Sequence, residues 1–153
     1  MAARVGIGTV FWIPTDLGFA LGIMTHKHVL PPKYGALVWI ADRCFDEPPS
    51  LEDLAGVGWR WCVFFPLGTA ANKHIVEIVG KVDVPEQLRN FPALRAGGIN
   101  GIEPRWVVYE QRDVDNSYRR ATEDDFALNI EQIVNDTRLT EMIVSGWKPE
   151  DRV

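Results

Sequence analysis

Cysteine is scarce in this sequence of 153 residues, which contains only Cys44 and Cys62. Disulfide-stapled secreted domains carry cysteines at higher density and at framework spacings, so this class is not expected. A chain of this length buries about 70% of the surface that its unfolded form exposes and needs no staple. We therefore expect one domain over residues 1–153 with free, buried thiols, as is typical of a reducing compartment.

Long uninterrupted apolar runs are also missing. Residues 5–25 contain a single charge, Asp16, but Pro14, Thr15 and Asp16 interrupt that stretch in its middle. A membrane helix needs about 20 consecutive apolar residues, and a signal peptide needs a small-residue cleavage site, which does not follow cleanly here. The sequence therefore predicts a cytoplasmic protein that does not contact a membrane.

Clusters of basic residues are absent as well. The chain has 16 Lys and Arg against 21 Asp and Glu, a net charge of −5. Residues 110–153 hold eleven acids and six bases, whereas residues 1–109 hold ten of each. Binding to nucleic acid relies on clustered Lys and Arg that neutralise phosphates, so we expect no nucleic-acid partner. The acidic C-terminal part indicates either a solvated face that keeps the protein soluble or a site for a basic protein.

Motifs for catalysis are few. There is no Gly-x-Ser-x-Gly elbow, and the glycines of residues 6–8 precede a strand, whereas a phosphate-binding loop precedes a helix. Cys62 lies in an alternating strand, where a thiol is expected to pack rather than react. Nothing pairs any two of four carboxylates near a predicted strand end, namely Glu103, Glu110, Asp113 and Asp115. We expect no cofactor and no catalytic residue, and an enzyme is less expected than a binding protein.

The strongest chemical alternative is a metal site. His26 and His28 have the two-residue spacing that places both imidazoles on one side of a strand. His74 and an acid such as Asp42 or Asp46 would complete the site, which would suit a metal-dependent phosphoester or phosphotriester hydrolase. This spacing alone is a weak signal, because histidines at strand ends are commonly solvated, so the main interpretation has no metal.

Large aromatic residues are abundant, with six Trp among sixteen aromatic side chains, and they favour β structure. Residues 8–14 and 18–23 are two apolar runs joined by a turn, which indicates a β-hairpin. Both runs are apolar at odd and even positions alike, so neither face of the hairpin has the polar residues of a solvent-exposed face. Such a hairpin is typical of a curled sheet or small barrel whose two faces are both covered.

Further strands and turns follow from alternation and from Gly and Pro positions. Strands are expected at residues 34–41, 59–65, 74–82, 105–110 and 117–120. The strand at residues 59–65 should be central in its sheet. In the strand at residues 74–82, the side chain of His74 should point inward. Helical turns are expected after Ser50 and near residues 84–88, and loops at residues 68–73 and 97–101.

The C-terminal part changes to helical spacing. Behind a capping signature at Thr122, apolar residues recur through Val134, and a second short helix ends at Gly146. The predicted fold is therefore α+β and mainly antiparallel, a curled sheet or small barrel of five to seven strands. Residues 1–120 would be mainly β, and residues 121–146 would form a helical C-terminal segment.

Three segments carry a family resemblance. They are Gly-Thr-Val-Phe-Trp-Ile-Pro at residues 8–14 with residues 18–23, the strand at 61–64, and residues 78–85 leading into 88–92. Over residues 5–95 the sequence resembles the twenty-sixth family of immunity proteins that accompany bacterial polymorphic toxins. The resemblance implies a protein that is not an enzyme and that binds and neutralises a cognate toxin, for which a basic nuclease is expected.

Part of that family also carries a phosphotriesterase label, which keeps the hydrolase with His26, His28 and His74 as an alternative. A small-ligand-binding module with an apolar pocket inside the sheet is a third. On the immunity hypothesis, the toxin would meet acids of the C-terminal part through electrostatic steering. The candidates for partner binding are Glu123, Asp124, Asp125, Glu131, Asp113 and Asp115.

Overall fold

The protein has an α+β fold with mostly antiparallel strands, as the sequence predicts. The computed structural model describes residues 5–97 and 105–152. The strands form two sheets, one of five strands and one of four, and neither closes into a barrel. The described residues thus contain nine strands, more than the five to seven expected, and a curled open sheet is the form that the structure takes.

The larger sheet has the strand order β4-β3-β2-β1-β5, and all its pairings are antiparallel. Its strands are β1 (Thr9–Thr15), β2 (Gly18–His28), β3 (Gly35–Phe45), β4 (Trp59–Phe64) and β5 (Glu77–Lys81). The smaller sheet has the order β8-β7-β6-β9, formed by β6 (Leu94–Ala96), β7 (Val107–Tyr109), β8 (Arg119–Arg120) and β9 (Asn129–Ile130). The α-helices are α1 (Leu67–Asn72) and α2 (Asp136–Ser145), and 3₁₀ turns span Leu51–Gly56, Glu86–Leu88, Glu123–Ala127 and Pro149–Asp151.

The hairpin of β1 and β2 is covered on both faces, as its two-sided apolarity predicts. On one face, Phe11 and Ile13 belong to the main core together with Met142 of α2. On the other face, Val10 and Leu21 pack in a second cluster with residues of the 3₁₀ turns at Leu51–Gly56 and Glu86–Leu88. Burial on both faces explains why this strand pair shows no alternation of apolar and polar residues.

A close contact inside the hairpin requires glycine. Gly22 lies against the ring of Phe11, and a Cβ added at Gly22 would overlap the Cζ and Cε atoms of that ring. Since Phe11 is completely buried, its ring has little room to move aside. The apolar run of β2 is thus interrupted by glycine for a packing reason.

The prediction that residues 59–65 form a central strand is wrong in its placement, because β4 is the last strand of its sheet. Its outer edge is covered by an extended segment that follows β9. The Phe64 N–H donates to the Gln132 carbonyl at 3.0 Å, and the Val134 N–H donates to the Phe64 carbonyl at 2.9 Å. A short length of parallel pairing therefore covers part of this edge, whose N–H and C=O groups would otherwise be unpaired.

The predicted helix behind Thr122 is also wrong beyond its first turn. The capping box forms, since the Thr122 N–H donates to Asp125 Oδ2 at 2.7 Å, but the helical turn ends at Ala127. The buried guanidinium of Arg95 lies 4.6 Å from the Phe126 ring centroid and donates to the Phe126 carbonyl at 3.2 Å. Residues 129–134 pair with β6 and β4 instead, and this pairing outweighs the helical preference that the local spacing of apolar residues indicates.

The second predicted C-terminal helix is confirmed as α2. The Asn135 side chain caps it by accepting the Arg138 N–H at 2.8 Å, and Gly146 ends it with φ of 70°. This is the usual pairing of a polar N-cap with a left-handed glycine at the C-terminus. The helical C-terminal segment thus reduces to residues 136–145 and short 3₁₀ turns.

Two expectations between β4 and β5 are wrong. The predicted loop at residues 68–73 is α1, and the strand expected from His74 begins only at Glu77. His74 has φ of 58° and is exposed in the turn that ends α1, where its N–H donates to the Ala71 carbonyl at 3.1 Å. The predicted loop at residues 97–101 lies outside the described residues except for Gly97.

Both cysteines are free, as expected, although only Cys62 is buried and Cys44 is half-buried. Burial raises the pKa of the Cys62 thiol, which keeps it protonated and unreactive. Within residues 5–97 and 105–152, no helix is both long and apolar enough to cross a membrane.

Candidate partner-binding site

The connection between β7 and β8 combines acidic and exposed apolar side chains. We define the acidic loop as residues 110–118, in which Asp113 and Asp115 are exposed. Val114 between them has 63% of its surface exposed, and Tyr118 has 42%. Two large apolar side chains within a charged loop are a composition typical of protein interfaces, in which anchors are surrounded by a polar rim.

Arg112 fixes the base of the acidic loop in the protein interior. Its Nε lies 3.0 Å from Glu131 Oε2, and its Nη2 donates to Glu131 Oε1 at 3.1 Å. The same Nη2 donates to the Tyr34 hydroxyl at 3.3 Å, and the guanidinium lies 3.8 Å from the Tyr109 ring centroid. Burial opposes the charged form, but the neighbouring carboxylate of Glu131 raises the pKa of Arg112 above its usual value. Arg112 therefore stays charged and holds the loop.

A second set of contacts ties the acidic loop to the connection between β2 and β3. His28 Nδ1 accepts the Tyr34 N–H at 3.2 Å, so its Nε2 carries the proton and donates to the Arg112 carbonyl at 3.1 Å. Asn116 accepts from Arg112 Nη1 at 2.9 Å and donates to the Pro31 carbonyl at 3.1 Å. The loop is thus held on both sides of its exposed tip.

The tip itself is a hydrogen-bonded turn. The N–H groups of Val114 and Asp115 both donate to the Gln111 carbonyl, at 2.8 and 2.9 Å. Asp115 Oδ1 accepts from the hydroxyl and the N–H of Ser117, and these bonds lower the pKa of Asp115. Both features give the tip a hydrogen-bonded backbone turn in which Val114 is exposed.

The 3₁₀ turn at Glu123–Ala127 is attached to the same region through Arg119. The guanidinium of Arg119 binds Asp125 through two bonds of 2.8 and 2.9 Å, and its Nε donates to Glu110 Oε1 at 3.1 Å. Arg119 and the N–H of Thr122 hold the pKa of Asp125 well below its usual range. Glu110 of the acidic loop and Asp125 of the turn are thus bridged by one arginine.

The six acids predicted to meet a partner divide into two groups. Asp113, Asp115, Glu123 and Asp124 are exposed. Asp125 and Glu131 are instead occupied by Arg119 and Arg112, with only 10% and 8% of their side chains exposed. We define the acidic surface as the four exposed acids with Val114 and Tyr118.

The ring nitrogens of two of the three histidines in the metal alternative have other partners. His26 Nδ1 accepts from the Thr25 hydroxyl and its Nε2 donates to the Arg89 carbonyl, both at 2.9 Å. Both nitrogens of His28 are used, as described above, and His74 lies in the turn after α1. Across the described part of the chain, no three His, Cys, Asp or Glu side chains are grouped so that they could hold a metal ion.

Sequence reasoning found the exposed acids but missed the residues that support them. Neither Arg112 nor Tyr34 has a sequence signal, because they are 78 residues apart and meet only through the fold. No family model, no curated protein and no solved structure matches this chain.

Proposed function

We propose that the protein is a bacterial immunity protein that binds and neutralises a cognate polymorphic toxin, a basic nuclease being the expected type. Binding takes place in the cytoplasm and uses the acidic surface, without catalysis. The observation that carries this proposal is the exposed Val114 at the tip of an acidic loop whose base is fixed by the buried pair of Arg112 and Glu131.

Preorganisation supports a binding role for this loop. Ordering a flexible loop on binding costs free energy, and a loop already held by several bonds avoids most of that cost. The contacts of Arg112 with Glu131, Tyr34 and Asn116 supply this order in the free protein. An exposed valine costs solvation free energy in the unbound state, which a partner recovers by covering it.

Charge supports a basic partner. Setting aside the ion pairs of Arg112 with Glu131 and of Arg119 with Asp125 leaves nine acids and four bases in residues 110–153. The excess of five negative charges is thus unchanged by internal pairing and is carried by the remaining groups. A field of this sign accelerates the approach of a positively charged protein.

The proposal is tested by co-expression in a bacterial host. The probe is the toxin domain encoded beside this gene, which an immunity role requires to exist. Induction of that domain alone should reduce colony counts by several orders of magnitude, and co-expression of this protein should restore them. An unrelated immunity protein of similar size and charge serves as the control. Absence of a neighbouring toxin gene, or no recovery of colonies, would contradict the proposed function.

A further inference from the structure

A pocket lies between β4 and the segment that follows α2. Its volume is about 330 Å³, and sites for small molecules typically have volumes of about 300–1,000 Å³. Its lining includes Arg60 and Trp61 of β4, together with Trp147, Lys148 and Glu150 of the segment after α2. Indole rings and charged side chains thus meet in one concave surface.

Hydrogen bonds hold the walls of the pocket in place. The indole Nε1 of Trp61 donates to the Trp147 carbonyl at 3.1 Å, and the two indole rings meet edge to face with centroids 5.5 Å apart. The Trp147 N–H donates to the Met142 carbonyl at 3.1 Å. Arg95 Nη2 donates to the Pro149 carbonyl at 2.7 Å. The pocket is therefore already formed in the free protein, as is usual for sites that bind small molecules.

Two cationic side chains line the pocket without a carboxylate partner. Arg60 Nη1 donates to the Ile143 carbonyl at 3.2 Å, and this bond uses one of the five N–H donors of a guanidinium. Within residues 5–97 and 105–152, the ion pairs involve neither Arg60 nor Lys148. Both side chains can therefore bind an anion that enters the pocket.

Glu150 is the single acid among the described residues that line the pocket. The buried guanidinium of Arg95 is close enough to interact with its charge. Burial lowers the pKa of Arg95, and the carboxylate of Glu150 opposes this shift. Since arginine stays protonated in proteins, the positive charge of Arg95 offsets the negative charge of Glu150. The pocket is thus locally positive, although the whole chain has a net charge of −5.

We propose that this pocket binds a small aromatic carboxylate, with its carboxylate group held by Arg60 and Lys148 and its ring packed against Trp147. A planar guanidinium matches the two oxygens of a carboxylate, and a lysine ammonium adds a further charge-assisted bond. The half-buried indole of Trp147 offers an apolar surface to a flat ring. Both cations disfavour a ligand that carries an ammonium group. The proposal is independent of the immunity function, because no residue of the acidic surface lines this pocket.

Three naphthalene derivatives of similar shape test the chemistry of the site. They are 2-naphthoate, the neutral 2-naphthamide and the cationic 2-naphthylmethylammonium ion. Each is titrated into the full chain while the indole N–H signals are followed by NMR, and Trp147→Phe identifies the signal of Trp147. 2-Naphthoate should shift this signal with a Kd on the order of 1 mM, which suits a ligand of this size. The amide should bind about tenfold more weakly, because it lacks the charge, and the ammonium ion should cause no shift.

Substitutions that change the charge of the pocket locate the carboxylate. Arg60→Gln and Lys148→Gln should each weaken 2-naphthoate binding about threefold, the usual effect of one exposed ion pair, and leave 2-naphthamide binding unchanged. Glu150→Gln should strengthen 2-naphthoate binding about twofold, because it removes a repulsive charge. Lys33→Gln removes an exposed lysine that does not line the pocket and should bind like wild type. Thermal unfolding confirms that each variant folds.

Three results would overturn the proposal. The first is equal affinity for 2-naphthoate and 2-naphthamide. The second is an unshifted Trp147 signal at about 10 mM 2-naphthoate, tenfold above the expected Kd. The third is an equal loss of affinity in Lys33→Gln and Lys148→Gln, which would mean that the overall charge of the protein attracts the carboxylate. None of these results would bear on the immunity function, which is tested with the toxin domain.

Discussion

The guanidinium of Arg112 and the carboxylate of Glu131 form a buried ion pair, with Nε to Oε2 at 3.0 Å and Nη2 to Oε1 at 3.1 Å. Both side chains are less than one-tenth exposed. The pair connects the acidic loop with the segment between β9 and α2. A charged interaction inside the protein thus supports a loop whose tip, with Asp113 and Val114, is exposed.

Breaking this pair on one side should be strongly destabilising. Arg112→Ala or Glu131→Ala leaves the opposite charge buried without its partner, which costs about 3–5 kcal/mol of unfolding free energy. The double variant Arg112→Ala with Glu131→Ala should lose much less than the sum of the single losses. Urea denaturation of the four proteins measures these values, and additive losses would contradict a coupled pair.

The bond between Arg119 and Asp125 should make stability depend on pH in the acid range. Because the folded pKa of Asp125 is lowered, its contribution is present above the unfolded pKa of about 4 and is lost as pH falls toward the folded pKa. Wild type should therefore exceed Asp125→Asn in unfolding free energy near pH 6. This difference should shrink steadily below about pH 4. Urea denaturation at a series of pH values measures it, and a difference that grows on acidification would contradict this prediction.

Gly22 should not tolerate a side chain. An alanine Cβ at this position would overlap the buried ring of Phe11, and overpacking of this kind costs about 1–3 kcal/mol. Gly56→Ala is a matched control, because no atom lies within 4 Å of a Cβ at Gly56. Thermal denaturation of both variants checks the prediction. Equal melting temperatures for the two would mean that the Phe11 ring moves aside at no cost.

The exposed acids should control association with the toxin domain. Asp113→Asn combined with Asp124→Asn should slow association several-fold at low salt, and the difference from wild type should shrink as ionic strength rises. Glu47→Gln combined with Asp46→Asn removes the same number of charges from exposed acids outside the C-terminal part and serves as the control. Stopped-flow mixing measures the rates. An effect of the same size in the control variant would mean that net charge alone, and not this surface, guides the partner.

Much of the scaffold is predictable because its signals are local. The two-sided apolarity of residues 8–23 predicts a hairpin covered on both faces, and the capping signature at Ser50 predicts the 3₁₀ turn that follows it. The strand signals at residues 34–41 and 105–110 correspond to β3 and β7, with shifted ends. Each of these features depends on neighbouring residues, which a single sequence displays.

The wrong predictions concern segments whose structure depends on contacts with residues that are distant in the sequence. Apolar residues do recur at helical spacing from Phe126 to Val134. The segment is nevertheless extended, because Arg95 binds the Phe126 carbonyl and the outer edge of β4 pairs with residues 132–134. Likewise, Glu131 resembles the other acids in the sequence and is distinguished only by the guanidinium of Arg112. The exposed acids of the candidate site could therefore be predicted from the sequence, whereas the contacts that support them could not.

Hydrogen exchange of the complex with the toxin domain tests whether the acidic loop and the 3₁₀ turn at residues 123–127 form the binding surface. Amide exchange is compared by mass spectrometry for this protein alone and with the toxin domain encoded beside its gene. Exchange should slow on binding in residues 110–118 and 123–127 and should change little in the hairpin tip at residues 15–18. Protection confined to other segments, with unchanged exchange in residues 110–118, would contradict this expectation.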